Sequence, residues 1–434
     1  MAKVVKTLRT HWKKSTFAAI LGYYGLDYAY DRHKTFLLMR DYSQQALAHG
    51  RRKLPDGAKN KHITLLLNPT AGNRKSKARL EKYAEPLLHL SGFLVNIVKT
   101  ERIDEARDLA GIIERTNVIA VAGGDGTVFE TITGLLRRED AEEAVLRYPV
   151  GIIPVGTENQ FGKQLLKSFR NDPEPKFIAE AAMAIVNHRM RPADVMEIKI
   201  ADTDKQDEGE EPKAPRKPFY SLVGVNLGQY REAKKIKEEM PSFFGQLFTS
   251  FWSLLRVQPL IVKAQLNYIP TCSGCAKCKK EEEEKLEQSR AKAAAEKKQT
   301  EETKYPQSSI WSRITSIFSR SPVLADSDVL VENPDCGVQK SICIESSELN
   351  VMVAGGGKLK VEIGGRLGRT DFMIEGLRRH RGESPNYKMT LECKEIEICP
   401  VEGGPEYFSI DNEEFEVKRV KLKAIKDRVY FFVP

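Results

Sequence analysis

From His62 onward, short unbroken apolar runs alternate with longer stretches of helical spacing. Residues 63–67 read Ile-Thr-Leu-Leu-Leu and stop at Asn68-Pro69, a buried strand closed by a turn. Leu80, Tyr83, Ala84, Leu87 and Leu88 then recur at three- and four-residue steps, the spacing of one helix face. Residues 93–98 are the next strand, and Ala106, Leu109, Ala110 and Ile113 mark the next helix. A third strand, 118–122, runs straight into Gly123-Gly124-Asp125-Gly126-Thr127, and Ile132, Leu135 and Leu136 define the helix after it. Residues 150–153 form a fourth strand, closed by Pro154. Strands alternating with helices predict a mainly parallel, doubly wound α/β domain over 62–190.

Beyond residue 190 the pattern changes. Residues 195–200, 219–225, 342–344 and 396–398 are strand-like and helical periodicity becomes rarer, which predicts a second, mainly β sandwich domain over 191–434. Residues 201–217, acidic and then rich in Pro and Lys, read as a loop. A Glu/Lys/Ala run over 279–303 lies within a low-complexity insert around 270–330. At the other end, residues 1–61 read as a targeting or membrane-associated segment and a connector. The apolar run 17–26 is half the ~20 residues a spanning helix needs. Lys3, Lys6, Arg9, Lys13 and Lys14 flank it, and no acid precedes Asp27. Such a segment suits mitochondrial targeting or interfacial anchoring, with an ordinary docked helix as the alternative. Residues 28–61 are polar and irregular, the connector.

Composition adds three constraints. Of 434 residues 41% are hydrophobic, enough for a core, and the 30% that are charged require long polar segments outside it. The net charge of +9 suits an anionic partner such as nucleotide or lipid headgroups. Seven cysteines, an odd number in a long chain, argue against a secreted disulfide framework. Cys272-x-x-Cys275-x-x-Cys278 looks like half of a metal site without a nearby His. Cys336 or Cys343 could complete it, but free thiols in a loop are the expected state.

The glycine turn after the third strand carries the most chemistry. Glycines reach positive φ and let backbone approach a bound group. Successive N–H groups there, with the following helix N-terminus, make an anion site. Asp125 in that setting makes sense if the anion is a phosphate with bound Mg²⁺ that the carboxylate holds. No Gly-Lys-Ser/Thr follows, so the turn is not a Walker A loop.

Residues 67–73 (Leu-Asn-Pro-Thr-Ala-Gly-Asn), 123–127 and 154–160 (Pro-Val-Gly-Thr-Glu-Asn-Gln) resemble the three nucleotide-site motifs of diacylglycerol, sphingosine and ceramide kinases, in that order. Residues 1–14, 88–100 and 408–416 look like the mitochondrial acylglycerol kinases in particular. The resemblance implies a nucleotide domain related in fold to NAD kinases and phosphofructokinases, with ATP and Mg²⁺ as cofactors. It implies that Asn68, Thr70 and Gly72 face phosphate or adenosine, that Thr100 lies near ribose or phosphate, and that Gly156 and Thr157 line the adenine side. Gly123, Gly124, Gly126 and Thr127 would form the phosphate turn, and Glu130 falls where the family often has an acid. One departure stands out: Glu158 and Gln160 replace the usual Gly and Asp of the third motif.

An alcohol acceptor needs a carboxylate base within reach. Asp125 is one candidate. Asp411 and Glu413, in Asp411-Asn412-Glu413, are similar to the Asp-Gly-Glu motif near the end of bacterial lipid kinases, and Asn412 tolerates the left-handed backbone that Gly would adopt. Asp411 or Glu413 is expected as base and Asp125 as the magnesium residue. Asp194 matches a position that reads the lipid headgroup in sphingosine kinases. Phe243, Phe244, Leu247, Phe248, Phe251, Trp252 and Leu255 recur at helical spacing, either lining a tail pocket or packing on the β domain. Ile310, Trp311, Ile314, Ile317 and Phe318, flanked by Arg313 and Arg320, suit an interfacial helix.

The implied activity is an ATP-dependent kinase acting on mono- and diacylglycerol at a membrane surface. The implied location is the mitochondrial inner membrane, facing the intermembrane space, and nucleic acid is not an expected partner. Sphingosine or ceramide as acceptor is an alternative, as is a structural role in an inner-membrane protein import complex. An NAD kinase shares the glycine turn, but no convincing nicotinamide motif accompanies it.

Overall fold

The computed structural model describes residues 12–52, 61–201, 217–240, 245–258, 260–272, 274–278, 333–334, 336–401 and 407–434, with Lys280 and Glu284. The chain opens with one long helix, α1 (Trp12–Gly50). Four strands follow in the first domain: β1 (His62–Leu67), β2 (Leu94–Lys99), β3 (Val118–Gly123) and β4 (Val150–Pro154). They are parallel in the order β4-β3-β1-β2. Between them lie α2 (Ser76–Tyr83), α3 (Glu85–Leu90), α4 (Glu105–Ile112), α5 (Asp125–Leu136) and α6 (Ala141–Arg147), and after β4 come α7 (Gln160–Leu165) and α8 (Glu174–Asn187).

Both faces of this sheet are buried, which is why its strands read as continuous apolar runs. Ile63, Leu65 and Leu67 of β1 pack with Leu80, Leu87, Leu88 and the Ile178–Val186 stretch of α8. Leu66 and Val121 point the other way, onto Ile132 and Leu135 of α5 and Val145 of α6. The doubly wound expectation therefore holds.

Polar residues 28–50 are not a connector; they continue α1. No Pro or Gly interrupts 27–49, and Leu38, Met39, Tyr42 and Ala46 form a stripe that docks on the first domain's core. The Tyr42 hydroxyl donates to Glu180 Oε1 at 2.5 Å. The N-terminal half of the helix carries exposed Trp12, Phe17, Ile20, Leu21, Tyr23 and Tyr24. Among the described residues no helix is long and apolar enough to cross a membrane.

The second domain is mainly β, with a mixed sheet. Its elements are β5 (Met190–Ile200), β6 (Phe219–Ser221), β7 (Gly224–Gly228), α9 (Gln229–Glu239), α10 (Gln246–Arg256), β8 (Val262–Pro270), β9 (Lys340–Ser346), β10 (Glu348–Val353), β11 (Leu359–Gly364), α11 (Arg369–His380), β12 (Tyr387–Pro400), β13 (Tyr407–Ile410), β14 (Glu413–Glu416) and β15 (Val420–Phe432). Its core gathers Val225, Leu266, Leu349, Val361, Ile396, Phe408 and Leu422. One boundary shifts from the sequence expectation. The last strand leaves the second domain, and Phe431 pairs with Val150 of β4. Phe431 and Phe432 are buried in the two cores of the first domain. Each such burial stabilises by about 1.5–3 kcal/mol, so the C-terminus fastens the two domains together.

α10 packs through Leu254 against Ala233 and Phe372, while Leu247, Phe248, Phe251 and Trp252 face solvent. Phe243, Phe244 and the 310–320 stripe lie outside the described residues, as do 202–216 of the expected loop and nearly all of the 279–303 run.

Candidate functional site

Parallel strands end on the same edge, so the turns after β1, β3 and β4 meet there. Backbone hydrogen bonds link them: Asn68 N donates to Ala122 O at 3.0 Å, and Gly156 N to Gly123 O at 3.1 Å. The approach is too close for side chains. A Cβ on Gly156 would lie 2.4 Å from Gly124 Cα, and one on Gly72, already at φ +59°, would lie 2.3 Å from Val155 O. Gly72, Gly156 and Thr157 line a cavity of about 330 Å³ with Arg79, Asn159 and Lys163.

Several expected nucleotide contacts instead brace these turns. Asn68 Oδ1 accepts from the Thr70 amide (3.0 Å) and hydroxyl (2.7 Å), and Asn68 Nδ2 donates to Thr127 Oγ1 at 3.0 Å. The side chains of Thr100 and Thr127 are buried, and Thr100 Oγ1 turns back to Leu67 O. Gly123 is needed for packing, since a Cβ would meet Thr127 Oγ1 at 2.6 Å, whereas Gly124 would make only ordinary contact, 3.6 Å from Gly156 Cα.

Asn159 has the most telling geometry. Its backbone is left-handed (φ 52°), and its Nδ2 donates to Pro154 O (3.2 Å) and Gly156 O (3.0 Å). Those bonds fix the amide orientation and leave Oδ1 buried with no partner among the described residues. Buried acceptors are nearly always satisfied, so a ligand N–H donor fits here. The neighbouring Glu158, foreign to the usual motif, turns away from the cavity. Its Oε2 lies 2.5 Å from Lys234 Nζ and accepts from Gln160 Nε2 at 2.9 Å.

Asp125 starts α5, and its carboxylate caps another helix. Oδ2 accepts from Gln160 N and Oδ1 from Phe161 N, both at 2.9 Å, at the start of α7. Burial raises its pKa, and those two amides oppose the shift. With both oxygens bonded to backbone amides, Asp125 braces the start of α7 in this state.

The hairpin joining β13 and β14 separates the two acids that sequence left equivalent. Ile410 pairs with Glu413 across a two-residue turn, with Asp411 at φ 47° and Asn412 at φ 75°. This is the geometry of a type I′ hairpin, and Asn412 does stand in for Gly there. Asp411 is 3% exposed. It accepts from Ser221 Oγ (2.6 Å), Leu222 N (2.9 Å), Val223 N (3.1 Å) and Gly224 N (2.9 Å). Burial pushes its pKa up to about 6 against these donors, which tie it to the 221–224 turn. Those four bonds make Asp411 a brace for the 221–224 turn in this state.

Glu413 differs in each respect. It keeps solvent access, and its Oε1 lies 2.1 Å from where a Cβ on Gly126 would stand, over the start of α5. Surrounding protein desolvates it, and the charges of Asp104 and Glu414 add to the upward pKa shift. Glu130, one turn along α5, is pushed up to about 7, by burial first and then by Asp104 and Glu413, although it accepts from Asp104 N at 3.3 Å. Carboxylates that raise each other's pKa favour a cation or a proton between them.

A second cavity, about 540 Å³, opens on the far side of Gln160 and Asn412. Arg231, Lys234 and Lys235 of α9 enter it beside Asn226, Glu348, Asn350 and Glu414. Glu414 takes both Arg231 (2.5 Å) and Lys235 (2.9 Å), and Lys234 Nζ donates to Asn412 Oδ1 at 2.7 Å.

These features agree with the comparisons to known proteins. Residues 62–198 match the model of the diacylglycerol kinase catalytic domain. The whole chain is 30% identical over 449 aligned residues to the mitochondrial acylglycerol kinase of Homo sapiens, covering 96% of that protein. The chain belongs to the acylglycerol kinase family. It is therefore an ATP-dependent lipid kinase. The Xenopus laevis mitochondrial acylglycerol kinase is 36% identical over 275 residues, 62% of this chain and 60% of that one. A crystal structure of a Bacillus anthracis str. Sterne protein assigned as a diacylglycerol kinase superposes with a TM-score of 0.50. It covers 88% of this chain and 99% of that one at 17% identity, a likeness of fold.

Within the kinase, Asp194 holds two backbone amides. Its Oδ2 accepts from Gly357 N (2.6 Å) and its Oδ1 from Asp427 N (2.8 Å), at the turn between β10 and β11. Glu348 and Asn350, which enter the large cavity, begin that hairpin, and Gly357 is at its opposite end. Asp194 lines neither cavity; it ties β5 to two loops. Sequence reasoning missed the α9 cations and the pair formed by Glu348 with Arg379 (2.8 Å). The only linear signal was the amphipathic Gln229–Glu239 run, which any surface helix shares.

Proposed function

We propose that the chain transfers the γ-phosphate of ATP to the free hydroxyl of mono- and diacylglycerol, giving lysophosphatidic and phosphatidic acid. The observation that carries this reading is the convergence of three glycine turns on a cavity lined by Asn159, whose Oδ1 has no partner among the described residues. That acceptor suits the exocyclic amine of adenine. Backbone packed too tightly for a Cβ at Gly72 and Gly156 suits a nucleotide cradled by main chain. Magnesium brought with the nucleotide would be held by Glu130, where it would neutralise phosphate charge. Glu413 is the base in this reading, because it combines solvent access, a raised pKa and a place over the helix start. The cations of α9 then hold the phosphate of the product.

The site of action in this reading is the mitochondrial inner membrane, on its intermembrane-space face. Support comes from the relatives named mitochondrial, the basic stretch before residue 15 and the exposed apolar residues of α1 and α10. A second role, as a subunit of a protein import complex, has support in α1, whose core contacts among the described residues lie in its C-terminal part and whose N-terminal half exposes aromatic side chains.

The test is transfer from radiolabelled ATP to monoacylglycerol, diacylglycerol, sphingosine and ceramide. Labelled lysophosphatidic and phosphatidic acid are expected. Labelling of sphingosine or ceramide instead would overturn the acceptor assignment. Gly126→Glu should abolish transfer while leaving any complex assembly intact, and transfer persisting in that variant would overturn the site.

A further inference from the structure

Four cysteines stand apart from the cleft. Cys272, Cys275 and Cys278 follow β8, and Cys336 precedes β9. These strands form an antiparallel pair whose last rung joins Tyr268 to Lys340. The pairing brings Cys278 and Cys336, 58 positions apart in sequence, to one place. All four sulfurs lie within 4.8 Å of one another, and among the described residues this is the one group of three or more side chains gathered closely enough for a metal ion. None of the four is in a disulfide. The Cys278–Cys336 separation of 3.3 Å is far beyond the ~2.05 Å of an S–S bond.

We propose that Cys272, Cys275, Cys278 and Cys336 bind one zinc ion in a four-thiolate structural site that closes the neck of the insert over 279–335. A tetrahedron with Zn–S of about 2.3 Å sets its sulfurs about 3.8 Å apart, the scale of the observed cluster. Its surroundings suit thiolates. The sulfur of Cys272 receives the backbone N–H groups of Gly274 and Cys275 and, at 3.4 Å, the Asn333 amide. That of Cys275 receives N–H groups of Lys277 and Cys278. Lys394 Nζ lies 3.7 Å from the Cys278 sulfur and offsets the negative charge of four thiolates on one dication. Gly274, at φ +107°, permits the turn that aims these amides.

The location gives the ion a task. Among the described residues β9 is an edge strand whose only partner is β8, and the insert over 279–335 leaves from the open end of that pair. Joining strands from positions this far apart in sequence costs chain entropy, and a metal clip beside the pair offsets that cost. The site is independent of phosphoryl transfer.

Elemental analysis of the full chain, purified with zinc in the medium, should find about one zinc per chain. Cys275→Ser and Cys336→Ser should each lower this to below about a tenth, with Cys343→Ser, exposed and outside the cluster, unchanged. X-ray absorption should report four sulfurs at about 2.3 Å. Chelation should speed hydrogen exchange in β9 and proteolysis within 279–335 at least tenfold while thermal unfolding still reports a folded core. Any of three results would overturn the proposal: sub-stoichiometric metal in the unsubstituted chain, iron in place of zinc, or a Cys278–Cys336 disulfide in non-reducing mass spectrometry.

Discussion

The two sides of the cleft are made of different material. On the first domain's side the surface is main chain: Gly72, Gly124 and Gly156 bring three turns into contact, and the side chains of Asn68 and Thr127 brace them. On the second domain's side it is side chain: Arg231, Lys234 and Lys235 from α9, Glu348 and Asn350 from β10, and Glu413 and Glu414 from β14. A main-chain wall cannot yield to a substitution, whereas a side-chain wall can. Gly156→Ala is the sharpest test of that difference. Its new Cβ meets backbone at 2.4 Å, so the turns must separate. The expected loss in kcat/KM is on the order of 10³ (about 4 kcal/mol), with ATP affinity lost in calorimetry. Retention within tenfold would mean that this wall is no more rigid than the other.

The next largest effect lies on the hairpin of β13 and β14. Glu413→Gln should lower kcat by about 10²–10⁴ with ATP binding kept, as for the loss of a general base. Asp411→Asn should do something else. An amide NH₂ placed at Oδ2 would face the Leu222 N–H, donor against donor, in a buried site. The expected outcome is about 1–3 kcal/mol of lost stability in urea denaturation, with kcat of the folded fraction unchanged. Equal catalytic losses in both variants would erase the distinction between structural and reacting acid.

The same contrast explains what could be read from sequence. Each glycine turn is contiguous, follows its own buried strand, and needs a residue type whose reason is local; the three motifs and the parallel sheet were therefore legible. Asp411 and Glu413 were legible as a pair but not as individuals. What separates them is the 221–224 turn, 187 to 190 positions away, whose amides claim only Asp411. The partners of Asp194 were illegible for the same reason, since Gly357 and Asp427 are far along the chain. The first helix misled differently. Its polar middle looks like a connector because only Tyr42, Ala46 and a few half-buried neighbours touch the core.

A smaller effect concerns the unusual third motif. Glu158 and Lys234 join the two walls at 2.5 Å, and each is about one-third exposed. Solvent screens such a pair, so Lys234→Met should raise KM for ATP only a few-fold, leaving Glu158 charged beside the nucleotide. Adding Glu158→Gln should restore most of it. A double-mutant cycle that gave simple additivity would show that the pair does not hold the walls in register.

The smallest expected effect is the most diagnostic of how the walls communicate. Glu413 belongs to the second domain, yet one of the charges raising its pKa is Asp104 of the first. A base must be ionised to accept a proton, so activity rises with pH as Glu413 loses its own. Removing a neighbouring negative charge lowers the Glu413 pKa, and Asp104→Asn should therefore move the acid limb of the kcat/KM profile to lower pH. Asn tolerates the left-handed φ of 65° at position 104, and the Asp104 N–H to Glu130 is kept. Asp104 is half exposed and paired with Arg107 at 3.0 Å, which limits the shift to a few tenths of a pH unit at low salt. At 1 M salt, where the screening length is about 3 Å, the shift should vanish. Glu130, itself pushed up to about 7, is the rival source of that limb. In Glu130→Gln the limb should persist and move downward, whereas in Glu413→Gln it should disappear from the residual activity. Disappearance in Glu130→Gln instead would assign the proton to the first domain, and the division between a binding wall of main chain and a reacting wall of side chains would fail.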